Sequence, residues 1–152
     1  MSGSIIYSYV YGNPLRYTDP LGLVGIGEVV TQIGAVGPID ARTASQIADQ
    51  SLAAAKNSGL PGLHNGQADA YRHCLWSCEM TKAIGGKQAE EVGNIHEKYG
   101  KNPPGETCMD LRNNAQGRNA ANGPDCATSC RGLLTGGQLQ TSPGGTPPSN
   151  LY

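Results

Sequence analysis

A chain of 152 residues with net charge −1, no Phe, one Trp and seven Tyr fits one small domain with tails, its core resting on Leu, Ile, Val, Ala and Met. Near-neutral charge offers no basic patch of the kind a non-specific nucleic-acid binder carries. The most apolar stretch, residues 21–36, is broken by Gly22, Gly25, Gly27, Glu28 and Gly34, so no run reaches the roughly 18 residues of a membrane-spanning helix. That stretch also lacks the basic start of a signal peptide, so no export signal is expected at this N-terminus. With 22 Gly and 10 Pro, much of the chain is expected as turn or loop.

The first segment alternates Tyr7, Tyr9 and Tyr11, as in a strand with one buried face, and Asn13-Pro14 and Asp19-Pro20 mark turns. A strand so short needs partners the remaining chain hardly offers. Tyr9, Tyr11, Asn13, Pro14, Asp19, Pro20, Gly22 and Leu23 together resemble the closing signature of the Rhs (YD-repeat) core of polymorphic toxins. The resemblance covers residues 1–23. It implies that Asp19, Pro20, Gly22 and Leu23 belong to an aspartyl autocleavage signature, with release near Leu23-Val24. The second carboxylate of that protease is expected upstream, so this chain alone should not cleave itself. The resemblance also implies that residues 24 onward are a variable C-terminal toxin, enclosed by the parent Rhs shell. Delivery by type VI secretion and a cognate immunity protein go with it.

Residues 24–37 read as a Gly-interrupted linker. Asp40 is placed to cap a helix over 41–56, with Ile47 and Leu52 inward and Gly59 ending it. Turns follow at Leu60-Pro61-Gly62 and His64-Asn65-Gly66. A second helix is expected over 67–83, its apolar side made of Leu75, Trp76, Met80 and Ile84. Gly85-Gly86 separates it from a third over 87–99 that carries Ala89, Val92, Ile95 and His96. After a Pro-Gly loop, a fourth helix over 106–121 holds Asp110, Asn114 and Arg118 as a polar stripe, and Gly117 beside it permits close approach of a neighbour. Asp125 is placed to cap a last short helix ending at Leu134. Residues 136–152, rich in Gly, Pro, Ser and Thr, read as a disordered tail. The expected fold is mainly α: a bundle of about four to five helices over 38–135, after an extended Rhs-core remnant.

Cys74 and Cys78, and Cys126 and Cys130, have CxxxC spacing, which sets both thiols of each pair on one helix face. Two such helices side by side could form two disulfides and leave Cys108 over. Buried free thiols and a four-thiolate zinc site are the other readings. Disulfides would point to an oxidising space such as a periplasm.

Asp69 and His73, four apart, share a helix face and form a base with an orienting carboxylate. His96-Glu97 offers a second base or a metal ligand. Asp110 can bind a cation, and Asn114 and Arg118 can position a carbonyl or phosphate. If His73, His96 and Asp110 converge, a divalent metal held there would activate water against a phosphodiester. Arg72, His73, Trp76, His96, Glu97, Met109, Asp110, Leu111, Asn113 and Asn114 form RHxxW, HE and MDLxNN motifs, and the pattern is similar to a bacterial domain that carries them. The RHxxW and HE order is also similar to that of all-helical zinc phospholipases C and their nuclease relatives. The ligand set does not follow that family through the chain, and no site is carried over from it.

The expected function is an antibacterial effector enzyme, a hydrolase of a phospholipid or another envelope phosphodiester or ester. It would be secreted into a target cell, with periplasm or membrane favoured over cytoplasm. The alternatives are a nuclease, for which the charge gives little support, and a non-catalytic membrane disrupter, for which no long amphipathic stretch stands out.

Overall fold

The computed structural model describes residues 25–151; the Rhs-like signature, with Asp19, Pro20, Gly22 and Leu23, lies outside them. The described residues form a small bundle of six α-helices: α1 (Ile26–Val36), α2 (Pro38–Lys56), α3 (Gln67–Ile84), α4 (Gly86–Gly100), α5 (Pro104–Ala120) and α6 (Cys126–Thr135). A 3-10 turn at Ser149–Leu151 follows, and no strand occurs among these residues.

α3 is the central element and packs against α2, α4, α5 and α6. One apolar cluster joins Tyr71, Cys74, Leu75 and Cys78 to Met109, Cys126, Cys130 and Leu139. A second sets Trp76 and Met80 against Ala44, Ile47, Ala89 and Val92. Leu52, expected inward with Ile47, is only half-buried. Gly117 lets α5 lie directly on α3: a Cβ there would collide with the Cys74 carbonyl oxygen.

The expected linker over 24–37 is instead helical for most of its length. Its glycines do not break α1, because tertiary packing holds it. Gly27 faces the Tyr99 ring, Thr31 Oγ1 and the Tyr99 hydroxyl lie 2.6 Å apart, and Glu28 and Gln32 turn inward. Gly37, at φ +86°, ends α1 and begins α2, a left-handed turn that a side chain would strain. Pro38 then opens α2, so Asp40 sits in the first turn rather than at the cap. Asp125 does cap α6, accepting from the Thr128 amide at 2.8 Å.

The segment after α6 has little regular structure, but its first part is anchored, not loose as the composition suggested. Leu139 is buried in the first cluster. Asn113 donates to the Gln140 carbonyl at 2.8 Å and accepts from the Gln140 amide at 2.9 Å. The Gly144 amide donates to Gly105 O at 3.1 Å. A polar side chain on α5 thus supplies the backbone partners that a strand would otherwise give.

The cysteines form two disulfides, Cys74–Cys130 and Cys78–Cys126, which fasten α6 to α3 in antiparallel register. Cys108 is a buried free thiol.

Candidate active site

α3, α4 and α5 bring polar side chains together in the interior of the bundle. α5 buries Thr107, Asp110, Asn113 and Asn114 beside Met109, so its inner face is polar and it has no apolar stripe. Of the expected residues, Asp69, His73, Glu97, Asp110 and Asn114 converge there, each 4% exposed or less.

His73 is the hub. Its Nε2 lies 2.9 Å from Arg72 Nη2, 3.4 Å from Asp110 Oδ1 and 3.7 Å from Asp69 Oδ1. Its Nδ1 lies 3.3 Å from Asn114 Oδ1 and 3.8 Å from Glu97 Oε1. A guanidinium can only donate, so Nε2 accepts from Arg72 and carries the lone pair. Nδ1 therefore bears the proton and donates to Asn114. Burial holds the imidazole well below its ordinary pKa, helped by the positive charge of Arg72 and by His96, so His73 is a neutral base.

The carboxyls are pushed the other way. Burial, reinforced by Asp69, raises Asp110 to about 8. Burial, reinforced by Asp110, raises Glu97 well above the usual carboxylate range. Asp69 is held in place: its Oδ2 accepts from the Asn65 amide at 2.7 Å, and its Oδ1 makes an ion pair with Arg72 Nη2 at 2.8 Å. The turn before α3 sets this up, with the Asp69 amide donating to Gly62 O at 3.0 Å. Asp69 Oδ1, Glu97 Oε1, Asp110 Oδ1 and Asn114 Nδ2 are buried without a hydrogen-bond partner among the described residues. For Asp69 Oδ1 the Arg72 contact is close in distance but lacks hydrogen-bond angles. Neutral bases and raised acids side by side, with orphaned oxygens, are characteristic of reactive centres.

Two expected residues lie elsewhere. His96 precedes Glu97 by one position on α4, about 100° round the helix, so the two side chains cannot both point at His73. Its ring centroid is 6.4 Å from that of His73, and its Nδ1 pairs with Glu28 Oε1 at 2.8 Å. Hence His73, His96 and Asp110 do not form a common ligand set, and Asp69 takes the third place. Arg118 leaves the stripe of Asp110 and Asn114 and meets Glu90 at the periphery, at 3.3 Å.

Arg72, noted in the sequence only as part of the RHxxW motif, and Glu28, noted only as a break in an apolar stretch, were given no role in the expected site. Arg72 lies three positions after Asp69, within reach on the same helix face. Glu28 is a lone acid in an apolar stretch, a signal hidden by the linker reading. Both line a narrow cleft of about 30 Å³, room for about one or two waters, between α1, α2 and α3. His73, His96, Trp76 and Gln32 complete its inner walls. Trp76 is fixed by donating to Ala44 O at 3.1 Å and meets the His96 ring edge-on, centroids 5.2 Å apart. The cleft reaches the His73 side chain beside Arg72.

The motif residues thus divide their work. Arg72, His73, Glu97, Asp110 and Asn114 build the cluster; Trp76 and His96 wall the cleft; Met109 and Asn113 hold core and tail. A family profile described as a domain of unknown function (DUF6973) matches residues 32–129. The match takes in the whole cluster and leaves Glu28 outside. No solved structure matches the chain.

Proposed function

This chain belongs to the DUF6973 family, and we propose that it serves here as an antibacterial Rhs-associated effector, a hydrolase of an envelope phosphodiester or ester such as a phospholipid. The observation that carries the enzymatic reading is the His73 cluster: one neutral imidazole whose Nε2 lone pair faces two buried carboxyls and a guanidinium at the end of a cleft. That lone pair is the reactive electron pair of the site. Water activation is centred on it, and Asn114 fixes the ring's tautomer. Arg72 can pair with the anionic oxygens of a phosphodiester or of the ester transition state.

The envelope is favoured by the two disulfides, which persist in an oxidising space. Binding by a cognate immunity protein and enclosure by the Rhs shell follow from the N-terminal resemblance. No helix among the described residues is long and apolar enough to cross a membrane.

The test is expression of the chain with and without periplasmic targeting, followed by lipid and nucleic-acid profiling. Periplasmic expression should kill and release lipid products, and His73→Ala should be harmless with an unchanged circular-dichroism spectrum. Undiminished killing by His73→Ala would overturn the enzymatic reading. Degraded nucleic acid with intact lipid would replace the envelope substrate by a nuclease.

A further inference from the structure

Asp69, His73 and Asp110 each offer one ligand-type atom to a common neighbourhood, and these atoms lie within 4.8 Å of one another. Nε2 of His73 stands 3.4 Å from Asp110 Oδ1 and 3.7 Å from Asp69 Oδ1. A tetrahedral ion with metal–ligand bonds of about 2.0–2.2 Å sets its ligands about 3.3–3.6 Å apart, so the two separations from Nε2 already match closely, and the two carboxylates lie within 4.8 Å of each other. Independently of that spacing, two of the three are orphaned: Asp69 Oδ1 and Asp110 Oδ1 are buried with no hydrogen-bond partner among the described residues. A full hydrogen-bonding shell is what buried carboxylates ordinarily have.

A positive charge already stands beside the point. Arg72 Nη2 is 2.9 Å from Nε2 and 2.8 Å from Asp69 Oδ1. Arg72 also lines the cleft, and its buried Nε is without a hydrogen-bond partner, so little holds the guanidinium there besides the two ligands themselves. We propose that Asp69, His73 and Asp110 bind a divalent first-row cation, Zn²⁺ or Mn²⁺, which displaces the Arg72 guanidinium into the cleft. The inference rests on the same reading of the cluster as the reactive centre, and names what the Nε2 lone pair holds. The donor set narrows the metal class: the imidazole nitrogen suits Zn²⁺, the two carboxylates also admit Mn²⁺, and Ca²⁺ and Mg²⁺ prefer oxygen alone. The surrounding bonds suit it too. The Nδ1–H to Asn114 contact orients the ring, and the Asn65 amide fixes the far oxygen of Asp69, as outer partners of metal ligands commonly do. Arg72, once released, faces the cleft that an anionic substrate oxygen would enter.

The experiment is titration of the chelator-stripped full chain with Zn²⁺, Mn²⁺, Mg²⁺ and Ca²⁺, by calorimetry and thermal shift. One equivalent of Zn²⁺ or Mn²⁺ should bind and raise the melting temperature, and Mg²⁺ and Ca²⁺ should bind far more weakly. Asn114→Ala should weaken binding about 10- to 100-fold, and Asp69→Asn or Asp110→Asn by more. Arg72→Ala should bind the cation more tightly than wild type, since it removes the competitor; a purely structural Arg72 would give no such gain. Absence of binding by both wild type and a folded Arg72→Ala overturns the site, as does binding that survives both Asp variants. Hydrolysis undiminished in chelator would sink the cation and leave the hydrolase standing. Stoichiometric binding without hydrolysis of any lipid or nucleic acid would do the reverse.

Discussion

Asp110 shows most directly the tension between stability and chemistry. It is buried among Asp69 and Glu97, with one oxygen unpartnered and a single guanidinium nearby. An unsatisfied buried polar group costs about 1–3 kcal/mol, more when charged. Asp110→Asn should therefore abolish killing yet raise the melting temperature of the chelator-treated protein at neutral pH. The sign of the pH dependence follows from linkage. The native pKa of about 8 lies above the ordinary 3.8, so the fold holds this proton more tightly than the unfolded chain does. Wild type should lose stability as pH rises from about 4 through about 8, and the variant should not share that loss. The two melting curves should therefore agree near pH 4 and separate above it; a variant less stable than wild type at pH 8 would contradict the account.

At the scale of elements, α5 depends on one missing side chain. Gly117 brings its backbone against Cys74 and Ser77 of α3, the contact that carries Asp110 and Asn114 to His73. Gly117→Ala has to push the helices apart, costing about 1–3 kcal/mol and lowering activity more than its stability loss alone explains. Gly132, exposed on α6, is the matched control: a Cβ there meets nothing within 4 Å. Gly132→Ala should stabilise by about 0.5–1 kcal/mol, read from denaturant midpoints. Equal effects of the two substitutions would mean that α3 and α5 are not in close contact. The same reasoning explains what the sequence made legible among the helices. α3, α4 and α5 could be read to within a few residues because glycine and proline bracket each. α1 could not, because Gly27 and Gly34 look like breakers while the helix is held by Tyr99 and by the buried Glu28–His96 pair.

Over the whole molecule, the site was half visible beforehand. The i,i+4 pairs Asp69–His73 and Asp110–Asn114 fix two residues each on one face, and those faces do meet. Which of the neighbours His96 and Glu97 turned inward depended on the rotation of α4 against its partners, which one sequence does not show. Arg118 fell out because a stripe four residues apart drifts round a helix of 3.6 residues per turn. The CxxxC pairs showed which helices could be joined, though not whether they were. In the fold, α6 is tied to the bundle by Cys74–Cys130, Cys78–Cys126, the contact of Arg131 with Ser58 O and the Tyr71 ring, and the packing of Ala127, Leu133 and Leu134 on the first cluster. Removing a disulfide from a small domain costs about 2–5 kcal/mol. Melting with and without a thiol reductant should give two well-separated transitions, and Cys78→Ser with Cys126→Ser should lie between them; a single unchanged transition would show that the cystines are dispensable. Such a chain has no one melting point of its own. It is slack wherever thiols are kept reduced and taut wherever they are not, so the redox state of its surroundings, rather than its sequence alone, sets how firmly it is knit.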